Sequence, residues 1–484
     1  MSGLVAIGDD IEGPWKLPDG WVWAELQRVL PLSYGKALAA TDRDPSGDFP
    51  VFGSSGQVGL HSVALAPANA IIVGRKGSAG SVYFSQEPSW PIDTAYFTVG
   101  SAAVDARYAY WFLTHSRLDR MDNSTAIPSL SRDRYNEQLI ALAPAPEQRR
   151  IVERIDELFA EIAEGEAALA QARKGLDLFR RSLLKAAVTG ELTRDWRAAN
   201  RPSETGDQLL ARVRSRRRSH ATEKSRGRRA HDEGGTAFRE LPELPEGWVW
   251  TALGKITDIV GGITVDQKRR PDDPVTAPYL RVANVQRGHI DWTEIKTILV
   301  ERSAALRLNL LEGDILLNEG GDRDKIGRGW VWDGSIQGMI HQNHVFRARP
   351  CCDGVNPFFI SHYANEMGRR FFLEQGKQTT NLASISLSKL SQLPVPLPPA
   401  AEADEILTRM AEALDAADDA ARELDGEAAD AARLKQSILK AAFEGRLVPQ
   451  NPADEPASAL LARLATPLIS PRRRGRPARE LEPT

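Results

Sequence analysis

The chain has 484 residues, of which 42% are hydrophobic and 26% charged, and its formal net charge is −3. This length allows three or four domains with their own cores, and no run approaches the roughly 18 apolar residues that a membrane span needs. The acidic opening stretch, residues 1–16, lacks the basic-then-apolar order of a secretory signal. We therefore expect a cytoplasmic protein with no membrane partner.

Cysteine and histidine usage excludes further classes of protein. The two cysteines, Cys351 and Cys352, are neighbours in the sequence, which excludes a disulfide framework and a zinc site made of four thiolates. The eight histidines form no cluster with the spacing of metal ligands. We expect reduced, structural thiols and no bound metal.

Two segments of the sequence occur twice. Residues 17–29, LPDGWVWAELQRV, return 227 positions later as LPEGWVWTALGKI, and residues 179–192, FRRSLLKAAVTGEL, return 255 positions later as LKQSILKAAFEGRL. The stretch between the matching ends is therefore 28 residues longer in the second copy. A period this long predicts two whole domain-plus-helix units rather than a solenoid of small repeats. The chain is predicted to be a pseudo-dimer with a duplicated frame and two dissimilar fillings, residues 30–120 and 257–375.

The first filling has the pattern of short strands and turns. β-Branched and aromatic residues surround glycine turns in residues 51–63 and 68–84. The glycine-rich runs 53–59 and 74–80 lack the Gly-Lys-Ser/Thr ending of a phosphate loop and the spacing of a dinucleotide fingerprint. We interpret both runs as tight turns that present polar side chains.

A heptad pattern begins after Pro146. Ten positions separated alternately by four and three residues predict a long helix with a packing seam. These positions are Ile151, Ile155, Leu158, Ile162, Gly165, Leu169, Ala172, Leu176, Phe179 and Leu183. The proline favours a helix start, and Gly190 favours its end.

A basic segment follows this helix. Between residues 201 and 231 there are ten Lys or Arg and three Asp or Glu, and a second basic cluster occupies residues 471–479. A solvated linker and a contact with phosphate groups are both open for these segments. The short amphipathic stretches 204–213 and 455–464 resemble each other and follow the two repeated helices.

The second repeated helix carries a seam made mostly of alanine. The positions equivalent to the first seam are Ile406, Met410, Ala413, Ala417, Ala420, Leu424, Glu427, Ala431, Leu434 and Ile438. Small residues let two helices approach closely, so we expect the two helices to pack on each other. Each spans about 45 residues, or on the order of 65 Å. Gly165 and Glu427 interrupt the seams and predict a local break or a polar contact.

No catalytic set stands out in the sequence. Asp314, Glu319 and Lys325 have only a loose likeness to the acid-acid-lysine set of a metal-dependent nuclease, and the chain lacks the Asn/Asp-Pro-Pro-aromatic tetrapeptide of amino-methyltransferases. A self-contained nuclease is thus a remote alternative. We expect a binding protein without its own catalytic site.

A duplicated frame with two different fillings can present two readers to two segments of a DNA duplex. Arg and Lys suit guanine, and Asn and Gln suit adenine. Taken alone, each such residue is more simply a solvated surface charge or a turn-forming hydrogen bond. Polar side chains on turns of the two fillings form the candidate DNA-binding set: Ser54, Ser55, Gln57, Arg75, Lys76, Ser78, Arg281, Asn284, Gln286, Arg287, Arg323, Lys325, Arg328, Gln342, Asn343 and His344.

The repeated segments resemble the specificity subunit of a type I restriction-modification enzyme. The resemblance lies in the Leu-Pro-x-Gly-Trp opening, the proline-rich approach with Glu147 and Gln148, and the helix exit at residues 185–190. It implies an α+β fold, with two globular α/β target recognition domains separated by two long antiparallel coiled-coil helices and a pseudo-twofold duplication. The second copy departs from the first in having Ala403 where Gln148 stands, which puts symmetric partner docking in doubt.

The resemblance also assigns a role to each part of the chain. The expected segments are a first target recognition domain at 1–143, a first coiled-coil helix at 144–192, a basic linker with a short amphipathic helix at 193–243, a second target recognition domain at 244–398, a second coiled-coil helix at 399–447 and a basic tail at 448–484.

The implied function is recognition of a bipartite, asymmetric DNA target by a non-catalytic scaffold. The implied partners are double-stranded DNA, two methylation subunits and the restriction subunits. S-adenosylmethionine, ATP and Mg are expected in those partner subunits and not in this chain. The alternative function, from a different class, is a DNA-independent coiled-coil scaffold whose globular parts bind protein.

Overall fold

The computed structural model describes residues 11–121, 128–224, 241–266, 268, 270–321, 325–375, 377–378 and 383–465. These residues form a mixed fold of helices and sheets with two long helices, Ala145–Thr189 and Ala400–Phe443. The predicted basic linker lies partly outside the described residues, and the basic cluster 471–479 lies wholly outside them.

The described residues of segment 11–143, called the first domain below, form mainly short strands. Its described strands are β1 Val22–Glu25, β2 Ser33–Tyr34, β3 Phe49–Gly53, β4 Gly56–His61, β5 Ala70–Gly74, β6 Val82–Ser85, β7 Trp90–Pro91, β8 Ala95–Val99 and β9 Leu139–Leu142. Its described α-helices are α1 Leu26–Val29, α2 Ala106–His115 and α3 Arg132–Asn136.

The described residues of segment 244–398 are called the second domain below. Between the two domains, the described α-helices are α4 Ala145–Thr189, α5 Arg194–Ala199 and α6 Gly206–Lys224. The strands of the second domain are β10 Val249–Ala252, β11 Thr257–Val260, β12 Pro274–Leu280, β13 Lys296–Glu301, β14 Ile315–Asn318, β15 Gly320–Gly321, β16 Gly329–Val331, β17 Ile340–His341, β18 Val345–Pro350, β19 Lys377–Gln378, β20 Ala383–Ser384 and β21 Pro394–Leu397. The remaining helices are α7 Leu253–Ile256, α8 Arg302–Leu308, α9 Pro357–Glu366, α10 Gly368–Gln375, α11 Leu387–Leu390, α12 Ala400–Phe443 and α13 Ala457–Ala465.

The sheets of the two domains have the same strand order. The first domain has a four-stranded sheet, β2-β8-β5-β6, and a three-stranded sheet, β4-β3-β7, in which only β3 and β7 are parallel. The second domain has β11-β18-β14-β16 and β13-β12-β17, in which only β12 and β17 are parallel. It adds a further sheet, β15-β20-β19. Because the strand order is shared, each loop of the first domain has a corresponding loop in the second, although the sequences of residues 30–120 and 257–375 show no comparable similarity.

The chain packs as two units that both include parts of the long helices. Unit 1 is Met1–Gln171 with Leu424–Thr484, and unit 2 is Ala172–Glu423. In unit 1, Ile151 and Ile155 of α4 share a buried cluster with Ile438 of α12. In unit 2, Leu183 of α4 shares another with Ile406 and Met410 of α12. Apolar burial thus joins the two helices within each unit.

Both long helices end at a glycine with a left-handed backbone. Gly190 follows α4 with φ +75°, as its position in the sequence predicted, and Gly445 follows α12 with φ +69°. A Cβ on Gly445 would overlap the Pro18 side chain, and one on Gly190 would come within 2.7 Å of Pro245. Each helix end therefore needs glycine for its φ angle and for the close approach of a repeated Leu-Pro-x-Gly-Trp segment.

The predicted seam needs correction in the middle of the helices. Gly165 is exposed, and a methyl group added at its Cα would meet no atom of α12 within 4 Å. Phe179 and Leu434 are 46% and 51% exposed. The residues that face the other helix are instead the next ones along the chain. An α-helix has 3.6 residues per turn and not 3.5, so an apolar stripe drifts around a long helix and a strict heptad count loses the contact face.

Ion pairs occupy these corrected seam positions. In unit 1, Lys435 Nζ lies 2.8 Å from both carboxylate oxygens of Glu166. In unit 2, Arg180 of α4 pairs with Asp418 of α12 at 2.5 Å. The polar contact that Gly165 and Glu427 predicted is thus present one residue away from Gly165, at Glu166, whereas Glu427 itself is exposed.

Candidate nucleic-acid interface

The two polar turns predicted in the first domain lie side by side. Ser54 and Ser55 form the turn between β3 and β4, and Ser78 lies in the loop between β5 and β6. Ser81 Oγ lies 2.5 Å from the carbonyl oxygen of Ser54 and 2.8 Å from that of Ser78. Gly77 has φ +84°, a conformation that favours glycine. One hydroxyl therefore joins the two turns into a single surface.

Four of the candidate side chains on this surface are exposed: Ser55, Gln57, Lys76 and Ser78. Arg75 is half-buried, and its Nη1 donates a 2.9 Å hydrogen bond to the carbonyl oxygen of Asp93. The arrangement presents hydroxyl, amide and cationic groups together, which are groups that contact bases and phosphates in DNA.

Sequence reasoning missed two residues beside these turns. Tyr34 lies on β2 and is 51% exposed, and its ring centre lies 5.4 Å from the Arg75 guanidinium carbon. Arg132, at the start of α3, lies 5.8 Å from the same ring centre. An aromatic residue next to glycine and lysine, as in Tyr34-Gly35-Lys36, was the one signal in the sequence that could have drawn attention to this position.

The loop between β12 and β13 of the second domain holds four residues of the candidate DNA-binding set, and they differ from one another in burial and in their partners. Asn284 is 2% exposed, and its Nδ2 donates to the carbonyl oxygens of Asp291 and Glu294 at 3.0 and 2.9 Å. Its Oδ1 accepts from the Arg281 backbone. The Asn284 amide is therefore buried and used to hold the loop, and its contact with DNA stays a prediction.

Arg281, Gln286 and Arg287 have internal partners. Arg281 pairs with Glu294 at 2.8 Å, and Gln286 Nε2 donates to the Ala283 carbonyl oxygen at 2.6 Å. Arg287 donates to the carbonyl oxygen of Asn365 in α9. For Arg281 and Gln286 an approaching DNA would have to replace an existing contact, and Arg287 points its guanidinium towards α9.

The other second-domain candidates lie on two further loops. Arg323 is outside the described residues. Lys325 and Arg328 are half-buried in the loop between β14 and β16, and Arg328 Nη2 donates to the Val282 carbonyl oxygen at 3.2 Å. This bond brings Arg328 against the loop that carries Arg281.

Gln342, Asn343 and His344 connect β17 to β18. Gln342 and Asn343 are half-buried and His344 is exposed. Their loop is held against β12, because Gln342 N donates to the Leu280 carbonyl oxygen at 2.9 Å. His344 Nδ1 lies 2.7 Å from Glu319 Oε2. The predicted residues of the second domain thus gather at loops that correspond, in strand order, to the β3–β4, β5–β6 and β7–β8 loops of the first domain.

The acidic residues that loosely resembled a nuclease site have other roles. Asp314 is fully buried, and its two carboxylate oxygens each lie 2.6 Å from a guanidinium nitrogen of Arg349. One of them also accepts from the backbone of Leu311 at 2.8 Å. In the part of the chain that the structure describes, no group of three or more His, Cys, Asp or Glu could hold a metal ion. Asp314 therefore serves as the buried partner of the half-buried Arg349.

Comparison with known proteins gives one consistent family. A family model described as "Type I restriction modification DNA specificity domain" matches residues 18–171. The specificity subunit of the Escherichia coli type I restriction enzyme EcoDI is 25% identical over 456 residues, which is 91% of this chain and 92% of that protein. The EcoKI specificity subunit of Escherichia coli strain K12 is 23% identical over 475 residues, again 91% of this chain and 92% of that protein.

A solved structure agrees in fold. It is described as the structural basis of complex assembly and conformational transition of the type I R-M system, and it matches with a TM-score of 0.59 and 18% identity over 90% of this chain and 100% of that chain. Over the described ranges, no helix is long and apolar enough to cross a membrane. Residues 18–171 match the type I restriction modification DNA specificity domain, and the chain is similar to type I specificity subunits over nine-tenths of its length.

Proposed function

We propose that this chain recognises the DNA target of a type I restriction-modification enzyme and serves as the scaffold of that enzyme. The observation that carries the proposal is the match, over nine-tenths of its length, to specificity subunits. Exposed amide, hydroxyl and cationic side chains on adjacent turns of the first domain support it, because these groups read base edges and bind phosphates.

The proposed target is bipartite and asymmetric. The two domains share a strand order but differ in the side chains on corresponding loops. Lys76 and Arg75 follow β5, whereas Glu319, paired with His344, follows β14 at the corresponding place. Loops with different chemistry would read different bases, so each domain is assigned one half of the target.

The scaffold is proposed to be a pseudo-twofold frame. In this proposal the segments 1–143 and 244–398 are target recognition domains, and the long helices form an antiparallel coiled coil that spaces them. Contacts inside each unit support the antiparallel direction. Within unit 2, Arg180 pairs with Asp418, and Leu183, later in α4, packs with Met410, earlier in α12.

The proposed partners are two methylation subunits and, for cleavage, restriction subunits, acting with this chain on double-stranded DNA in the cytoplasm. In this proposal S-adenosylmethionine serves the methylation subunits, and ATP and Mg serve the restriction subunits. This chain contributes recognition and assembly and no catalytic group. The pairing of Asp314 with Arg349 supports this division, because it removes the acid that a nuclease site would need.

Methylome sequencing of cells with and without the gene tests the proposal. We expect a methylated bipartite motif that disappears with the gene and returns with a plasmid copy. An unchanged methylome in cells that express the methylation subunit would contradict DNA recognition. It would favour the alternative, a coiled-coil scaffold that binds only protein, which no observation on this chain currently favours.

A further inference from the structure

Tyr34 lies between two arginines that are distant in the sequence. The guanidinium carbons of Arg75 and Arg132 lie 5.4 and 5.8 Å from the centre of its ring. Both distances are within the range of a cation–π contact. Tyr34 is half exposed, so the cluster stands at the protein surface beside the Ser54–Ser55 turn.

The backbone holds each member of the cluster in place. Tyr34 pairs with Tyr96 across β2 and β8, and the two ring centres lie 5.0 Å apart. Arg75 directly follows β5 and is tied to the Asp93 carbonyl oxygen. Helix α3 is anchored by the buried Tyr135, whose hydroxyl donates to the Leu30 carbonyl oxygen at 3.0 Å. The positions of both arginines are therefore built into the fold.

Within the described part of the chain, the positive charge of this cluster has no acidic partner. Among the described residues, no carboxylate oxygen lies within 4.0 Å of a nitrogen of Arg75, Lys76 or Arg132. By contrast, Arg107 in α2 of the same domain pairs with Asp156 at 2.9 Å. Since both guanidinium groups lie within 6 Å of one ring centre, the two charges are at most about 11 Å apart and repel each other. A bound anion would relieve that repulsion.

We propose that Tyr34, Arg75 and Arg132 form a phosphate clamp for the backbone of duplex DNA, next to a base-reading turn at Ser55 and Gln57. The clamp rests on the proposed function. The ring of Tyr34 is already engaged by two cations, so it positions guanidinium groups and does not stack on a base. The exposed Gln57 amide, which has no side-chain partner among the described residues, is left to contact base edges.

Phosphate contacts act on any DNA sequence, so the test does not need the target motif. The full chain is titrated with a duplex of arbitrary sequence, about four helical turns long, over a series of salt concentrations. We expect Arg132→Gln to weaken binding and to lower the slope of log K against log salt by about 0.9, the value for one phosphate contact. Tyr34→Leu should weaken binding roughly two- to fivefold through loss of the cation–π contacts, and Tyr34→Phe should keep it.

Arg154→Gln is the matched control, because it removes the same charge from an exposed site on α4. It should leave the affinity and the salt slope close to those of the unmodified chain. All variants should keep the same unfolding midpoint; if Tyr34→Leu unfolds, Arg132→Gln, at an exposed position, decides the test alone.

The unmodified chain is expected to bind duplex DNA. If it does, and if Arg132→Gln and Tyr34→Leu both keep its affinity and its salt slope, the clamp is overturned and the proposed function stands. Failure of the unmodified chain to bind any duplex, alone or with its methylation subunits, would overturn both.

With the methylated motif as probe, Gln57→Ala should reduce the preference for the motif over the arbitrary duplex by roughly five- to a hundredfold, the range for loss of a bidentate base contact.

Discussion

The indole Nε1 of Trp21 donates a 3.0 Å hydrogen bond to Oε2 of the buried Glu147, in the first turn of α4. Trp248 makes the same bond, at 2.9 Å, to the buried Glu402 in the first turn of α12. A buried carboxylate needs donors, since its desolvation is costly. The tryptophan of the Leu-Pro-x-Gly-Trp motif and the glutamate of the helix start therefore recur together, because the indole N–H supplies a donor for the buried carboxylate.

We predict that Trp21→Phe destabilises unit 1 more than Trp248→Phe destabilises unit 2. Without its indole, Glu147 keeps one hydrogen bond from the described residues, that of Gln450 Nε2 at 3.4 Å, whereas Glu402 keeps Thr193 Oγ1 at 2.8 Å and Arg197 Nε at 3.1 Å. The expected loss for Trp21→Phe is about 1–3 kcal/mol. Hydrogen exchange at the starts of α4 and α12 measures the two effects separately. An equal or larger loss for Trp248→Phe would contradict this ranking.

We predict that the free energy of unfolding of unit 2 falls in mild acid, because two of its histidines are buried. Burial lowers the pKa of His341 and of His362 to about 4, from their ordinary value of 6.5. The unfolded chain therefore binds these protons first, and stability falls as the pH drops from about 6.5 towards 4, by up to about 3 kcal/mol for the more buried His341. Hydrogen exchange of β14 and β18 against pH measures the fall. His362→Phe should reduce the slope, and an unchanged slope would exclude His362 as a source.

Exchange of either variable segment, residues 30–120 or 257–375, should change one half of the methylated DNA motif. Replacing residues 30–120 with the same region of a relative should alter one half of the methylated motif, because the loops of the first domain that carry the candidate residues are all within that range. Replacement of residues 257–375 is the matched exchange and should alter the other half. Methylome sequencing of each chimera provides the measurement. Changes in both halves from a single exchange would argue against independent readers.

The two long helices are predicted to set the gap between the half-targets. The Glu166–Lys435 pair shows where α4 and α12 face each other in unit 1. Inserting one heptad after Gly165 and one after Lys435 should keep this pair and lengthen both helices by about 10 Å, or about three base pairs. The methylated motif should keep both half-sequences and gain that number of unspecified pairs. A heptad in one helix alone should reduce activity, and an active double insertion with the original gap would refute the spacer.

Local patterns predicted the long helices and their ends correctly. Pro146 and Gly190 mark the ends of α4 because proline at a first turn and glycine after a last turn act through their own backbone geometry. The seam was predicted at both ends and missed in the middle, where Phe179 is exposed and Arg180 faces α12. The mismatch is local, since Leu183 near the end of α4 is again buried against α12, and the difference between 3.5 and 3.6 residues per turn allows such a local departure from the heptad count.

The burial of individual polar residues was harder to predict. Residue type alone pointed to Asn284, but an asparagine amide serves equally well to hold a loop from inside, and burial decided that role. No sequence pattern connected Tyr34 with Arg132, because nearly a hundred positions separate them and only the pairing of β2 with β8 and the anchoring of α3 bring them together.

The sequence by itself determined the repeated segments, the two long helices and the glycine that ends the first of them, because repeats, heptads and caps are local and can be read from neighbouring residues. Tertiary structure alone decided that two fillings without sequence similarity share one strand order, and which polar side chains reach the surface of their loops. Strand order depends on pairing between distant segments, and many different sequences satisfy the same pairing as long as alternate residues are buried.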